Sequence, residues 1–326
     1  MKKIISLVLL FAVLCIFSSH EVFAAWTQAK GHSYNQLSLS YYKTVKKFTT
    51  LVRDDEENLI DTDGKIYRNE EEEFTSTKIT YYGEYGITDR LTVIATIPYD
   101  WQRSNDTMRY AGEDGPSGLS DINLGMRYQL VPDLFGSGVL MSVQGEVKIP
   151  AAYDYDHPLF NLSLGDGQYD ATGLIQFGRG LGKGYGWLNV GYKYRFENDK
   201  FDPETFKPSD EFKITFGGGY AITSWLSLTG YVDMIKAVGN AEVSKAMIVR
   251  SYSTGLGAAT AKDELIKDTL SLEKDDMSVS VGLQFNLSPT MQAVVSYTRD
   301  ISGFGDFKTK NAALGQTYSL AFVYLH

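Results

Sequence analysis

Ten ionisable residues recur in phase within runs of alternating apolar and polar residues: Lys78, Glu84, Arg127, Glu146, Lys148, Asp170, Lys193, Arg195, Lys213 and Asp233. Strict alternation in extended chain puts them on the same side as the other polar residues of each run. A shared face carrying both signs of charge has two uses. It is a salt-bridged filling that braces an interior, because charges leave bulk water only when paired or still hydrated. It is also a polar wall along which charged solutes are selected. The two uses overlap, since a wall needs bracing. Six of the ten are basic and four acidic, so the wall is expected to draw anions.

Other chemistries have less to work with. Past residue 24, histidine occurs only at His32, His157 and His326. None sits within a run beside a serine and an Asn or Asp in phase, so triad catalysis is not expected. His157, in the loop sequence "YDYDHPLF", leaves a barrel phospholipase or protease as the lesser alternative. The single cysteine, Cys15, lies in the N-terminal apolar stretch, so the rest of the chain has no disulfide or thiolate chemistry. "RDDEENLIDTDGKIYRNEEEE" packs ten carboxylates into 21 residues. Its "DTDG" resembles part of a calcium loop but lacks the remaining ligand spacing. It reads as a solvated acidic face, with weak divalent-ion binding as the alternative. No metal centre and no cofactor are expected.

The elements that must hold the inward residues follow from the same alternation. Lys2 and Lys3, then "IISLVLLFAVLCIF", then Val22-Phe23-Ala24 form a signal peptide, with the cut after Ala24; a membrane anchor is the alternative. Residues 25–326 show twelve period-2 runs, most of about nine to twelve residues, the length of a tilted strand crossing a bilayer. One greasy face, for instance, is Leu91, Val93, Ala95, Ile97 and Tyr99; another is Ile122, Leu124, Met126, Tyr128 and Leu130. Met234 and Met277 belong to two others. Tyr (22), Phe (17) and Gly (31) are abundant, yet mean hydropathy is slightly negative, as half-apolar strands require.

Connections alternate between short (86–90, 131–138, 178–184, 221–224, 286–290) and long (49–72, 100–117, 150–167, 197–209, 237–275, 302–314). That sorting is expected of an outer-membrane β-barrel, with short periplasmic turns and long outer loops. Closure follows because an open edge in lipid would leave backbone groups unpaired. Pro98 is expected to end pairing near the outer rim. "DELIKDTLSLEKDD" (263–276) is expected to hold a short helix. The fifth long loop is expected either to fold inward and constrict the lumen or to pack on the other outer loops. The last strand is in phase through Phe322 and Tyr324 but ends on His326. Either the barrel assembly machinery tolerates this, or Tyr324 carries the signal.

Two stretches carry a resemblance. "EYGITDRLTVIATIPYD" fits a "YGxTDxLxxxxxxPY" hairpin. "SGLSDINLGMRYQL" fits a "GxGDxxLGxKYxL" strand, with Ser120 where Gly is usual and Arg127 where Lys is usual. Both are similar to the outer-membrane transporter family named for the meta-pathway of phenol degradation. The resemblance implies a barrel that passes hydrophobic or aromatic solutes.

The sequence therefore predicts an all-β protein: a single twelve-stranded antiparallel transmembrane barrel in the outer membrane of a Gram-negative bacterium. Outer-membrane lipid, lipopolysaccharide, a small solute and the assembly machinery are its expected partners. The net charge of −9 argues against nucleic acid. Passage of small solutes is the expected function. A closed barrel serving as scaffold for an export or surface complex is the alternative.

Overall fold

The computed structural model describes residues 25–53, 59–68, 73–105, 115–150, 153–253 and 262–326. The expected signal peptide lies outside them, as do seven of the ten carboxylates of the acidic run in the first loop. Twelve strands close into one antiparallel barrel. They are β1 (Ser33–Thr44), β2 (Phe74–Thr88), β3 (Leu91–Ser104), β4 (Ile122–Val131), β5 (Val139–Ile149) and β6 (Asp170–Leu181). They continue with β7 (Gly184–Arg195), β8 (Asp210–Ala221), β9 (Leu226–Val238), β10 (Asp276–Asn286), β11 (Met291–Asp300) and β12 (Gln316–Leu325). Each strand pairs with its sequence neighbours, and β12 returns to β1 in a ladder running from Tyr34↔Leu325 to Lys43↔Gln316. Closure satisfies every edge, which is the condition for strands in lipid.

The aromatic and aliphatic positions of the alternation point outward. Leu37, Leu39, Tyr81, Ile97, Tyr99, Leu124, Met126, Tyr128, Phe322 and Tyr324 are all exposed on the barrel's outer surface. In water this would be a large aggregation-prone patch; around a barrel it is the lipid-facing belt. The terminal residue is tied in as well: the backbones of Ser33 and His326 exchange hydrogen bonds of 2.9 and 3.0 Å. Among the described residues no helix is long and apolar enough to cross a membrane.

Several expectations fail for physical reasons. Pro98 does not end pairing: β3 runs on to Ser104, with Pro98 opposite Thr80 and its carbonyl accepting from Ser120 N–H. The proline lacks one donor but keeps its acceptor. Met234 and Met277 hold the outward phase yet are buried; they face each other near the outer rim, where the 3₁₀ turn Gly305–Phe307 packs beside β9. The first long loop carries its own hairpin, Lys46–Arg53 with Leu59–Arg68, joined on one edge by Ala312–Ala313. "DTDG" lies within its second strand, which is extended and not a calcium loop.

The fifth loop holds α1 (Lys245–Ser253) and a short helical stretch over Lys262–Thr269, which occupies the first half of the 263–276 stretch expected to hold one. Of the two placements expected for it, the loop adopts packing on its neighbours. Met247, Leu265, Ile266 and Leu272 form an apolar core with Leu159 of the third loop and Phe206 of the fourth. Burying six such side chains offsets the entropy of ordering three loops.

Candidate functional site: the barrel interior

The inward residues fall into two layers. The lower layer, towards the short turns, is filled by chain. The segment Ala25–Gly31 precedes β1 and enters the barrel from below. Arg127 Nη1 donates to Trp26 O (2.8 Å), Ser142 Oγ to Ala25 O (2.6 Å), and Gln28 N to Thr92 Oγ1 (2.8 Å). Two glycines make room for it. A Cβ on Gly86 would collide with the carbonyl of Ala29, and one on Gly178 would lie 2.8 Å from the Trp26 ring. Periodicity could not reveal this segment, because seven residues without alternation carry no strand or helix signal.

Around the segment runs a belt of buried polar groups. Arg127 Nη2 pairs with Glu84 Oε1 at 3.0 Å, with the two side chains 3 % and 0 % exposed. Arg127 Nε also donates to Gln144 and Gln176, at 3.1 and 3.0 Å. Gln28 Nε2 donates to Glu84 Oε2 (2.7 Å), and Tyr82 donates its hydroxyl hydrogen to the same carboxylate. Every formal charge here has several charge-assisted partners, the condition under which a dry ion pair survives.

The upper layer is a ladder along β5–β8. Lys148 Nζ meets Asp166 (2.6 Å), Asp170 (2.9 Å) and Asp121 (3.5 Å). Arg195 meets Asp166, Asp170 and Glu211 at 3.3–3.8 Å, and Lys193 meets Glu211 at 2.8 Å. Asp166 comes from the third loop. Its side chain is 53 % exposed although it sits among these cations, so it lines water-accessible space. Burial opposes its charge, but Lys148, Arg195 and Lys274 together hold its carboxyl well below the usual range. Asp121 goes the other way: burial raises it, and Lys148, farther off, only partly compensates. Tyr153 donates to Asp121 (2.5 Å), and burial raises its phenol.

Of the remaining residues expected on the inner face, Lys78 pairs with Asp100 (3.4 Å), itself bound by Ser76 (2.6 Å). Glu146 accepts from Gln144 (3.3 Å), and Asp233 accepts from Thr215. Lys213 shares the inward phase of Glu211 and Thr215, with no carboxylate within 4 Å among the described residues. The structure also brings in Asp100, Asp121, Asp166, Glu211, Asp276 and Asp300. The expected basic surplus is therefore corrected: these acids lie near strand ends or, as Asp166 does, in a loop, where charged residues read as loop. The signal that could have found them was phase, since Asp100 and Glu211 continue the inward parity of Thr92 and Lys213.

The histidines are placed differently. His32 Nδ1 lies 2.9 Å from His326 O near the strand termini. His157 contacts Glu204 (2.7 Å) in the outer loops, flanked by Phe160 and Phe201. Among the described residues, no group of three or more His, Cys, Asp or Glu is arranged to hold a metal ion.

Solved structures resemble the barrel to different degrees. The COG4313 outer membrane channel from Pseudomonas putida F1 superposes with a TM-score of 0.66 at 15 % identity, covering 94 % of this chain and 100 % of that one. The TodX ΔS2S3 monoaromatic hydrocarbon channel (TM-score 0.42, 8 % identity, 91 % of each chain) shares only a general likeness. The same holds for a Pseudomonas aeruginosa FadL homologue (0.41, 11 % identity, 90 % of each). No curated protein matches the sequence. Residues 68–263, more than half of the chain, match the model of the family described as "Putative MetA-pathway of phenol degradation", and the chain belongs to that family.

Proposed function

We propose that the protein is an outer-membrane channel for passive or facilitated diffusion of small solutes, aromatic or hydrophobic compounds among them. The observation that carries this reading is the upper layer: a wall of opposed charges at which the half-exposed Asp166 lines water-accessible space. A barrel serving only as scaffold has no need of a wet, charged interior; one that selects solutes does. The wall is assigned to Lys78, Glu84, Arg127, Glu146, Lys148, Lys193, Arg195, Lys213 and Asp233, with the strand-end acids added.

The segment Ala25–Gly31 is the obstruction on this path and must shift before a solute leaves below. Its hydrogen bonds, among them those of Ala25 O, Trp26 O, Gln28 and Lys30 N, are each worth about 1 kcal/mol net, because water replaces them on release. In this reading residues 1–24 direct export and are removed, the assembly machinery inserts the barrel, and lipid and lipopolysaccharide surround it. Aromatic solutes are supported by family membership.

Conductance of the folded protein in a planar lipid bilayer tests this. Steady current that an aromatic acid such as benzoate reduces supports the channel. A silent bilayer from the full chain, and from a chain lacking Ala25–Lys30, overturns it in favour of a scaffold.

A further inference from the structure

Ion pairing inside the barrel leaves a remainder, and it is lopsided. Lys78, Arg127, Lys148, Lys193 and Arg195 each lie within 4 Å of a carboxylate. Among the described residues, Asp233, Asp276 and Asp300 have no cation at that distance; Thr215 donates to Asp233, and Tyr42 and Gly315 N donate to Asp300. These three share one wall. Asp233 stands opposite Ser278, and Ser278 stands opposite Asp300. Asp276 is two residues from Ser278 in β10, so it has the same phase. The inward positions of β9 to β12 hold no Lys or Arg.

One cation is placed over this wall without joining it. Lys274 lies two residues before Asp276, at the end of the fifth loop, and is half-buried. Its neighbours are fixed. Glu273 accepts from Ala241 N (2.8 Å) and, through its carbonyl, from Asn311 (3.0 Å). Asp275 accepts from Lys236 (3.1 Å) and Ala237 N (2.8 Å), and its backbone bridges to Lys310. The Lys274 ammonium itself makes no ion pair or hydrogen bond among the described residues. It acts electrostatically on Asp276 and Asp300 of the acidic wall, and on Asp166 and Glu211 of the ladder opposite. Lys213 is also unpaired, but it is anchored in β8, a strand of that ladder.

We propose that Lys274 is the charge-selectivity determinant of the channel, a tethered counter-cation between an acidic wall and a neutralised ladder. The wall attracts cations; the fixed ammonium occupies the same field and competes with them. Like charges entering a narrow lumen pay for that proximity, and less so at high salt. The inference rests on the channel reading and assigns its selectivity.

The test is the reversal potential of the full chain in a planar bilayer under a KCl gradient at low ionic strength, with folding checked by heat-modifiable migration. Lys274→Met should raise the potassium-over-chloride permeability ratio several-fold, and Lys274→Arg should keep the wild-type ratio. Asp276→Asn with Asp300→Asn should lower the ratio, and this arm stands if Lys274→Met fails to fold. Current with an unchanged ratio in Lys274→Met, or in the aspartate pair where Lys274→Met does not fold, overturns the assignment of Lys274 while leaving the channel intact. No current from any variant, nor from the chain lacking Ala25–Lys30, overturns both.

Discussion

The lower and upper halves of the lumen use the same side chains to different ends. Below, Arg127 and Glu84 are almost wholly shielded, and Gln28, Tyr82, Gln144, Gln176 and the Trp26 carbonyl hydrogen-bond to them. Above, the ladder is open in part: Lys148 keeps 12 % exposure, Lys193 22 % and Asp166 53 %, while Arg195, Asp170 and Glu211 behind them are buried. The dry layer is a joint, since loss of one partner strands a charge with no water to take it. The wet layer is a surface, where water replaces a lost partner and ions compete for the rest. The contrast teaches that charge pairs in a barrel must be sorted by access to water before any is assigned to transport.

Replacing one partner in each half sharpens the comparison most. Arg127→Met leaves Glu84 unpaired in the dry layer and should cost about 3–5 kcal/mol, read as a lowered urea midpoint of the refolded barrel. A shift under about 1 kcal/mol would show that water reaches this layer. Gly178→Leu attacks the same layer through volume. The added side chain meets Trp26 and Ala25, and overpacking of this kind costs about 1–3 kcal/mol. Here the segment should leave rather than the barrel unfold, so trypsin should cut after Lys30 in the variant and not in the parent.

Lys148→Met in the wet layer removes three carboxylate contacts but admits water, and a loss of about 1–2 kcal/mol is expected. It should also change the acid response. Asp166 has a depressed pKa in the fold, so its contribution is fully present above the ordinary carboxylate value of about 4 and is lost as pH falls below it. Protection of the third loop from hydrogen exchange should therefore fall on acidification below that value in the parent. It should fall less in Lys148→Met, where the depression is smaller. The smallest effect belongs to Glu204→Gln. It weakens the His157 and Arg250 contacts in the outer loops and should change the urea midpoint by less than about 1 kcal/mol.

The strand count, their order and the sorting of turns from loops were legible because lipid on one side and polar groups on the other enforce period 2 along each crossing. Leu124, Met126 and Tyr128 could face only one way once Arg127 faced the other. What stayed hidden lies where that constraint lapses. Asp276 and Asp300 terminate strands beside further charges, Asp275 and Arg299, so the apolar–polar alternation lapses there. The hairpin of residues 46–68 stands in the acidic first loop, beyond the alternating run of β1. Ala25–Gly31 is held by partners on five strands, and no local pattern encodes contacts so distant in sequence. The loop core of Leu159, Phe206, Met247 and Leu265 likewise joins three segments that only barrel closure brings together.

The proposed solute path through the interior is obstructed at its lower end by Ala25–Gly31. A Cβ on Gly178 would lie 3.0 Å from that of Ala25, near the ~3.5–4.5 Å of a disulfide, and no cysteine beyond Cys15 interferes. The measurement is bilayer conductance of the refolded Ala25→Cys, Gly178→Cys variant, oxidised and then reduced on the same membrane. The account predicts a closed barrel when oxidised and current on reduction. Equal current in both states would contradict it, because the path would then run past the segment rather than through its place.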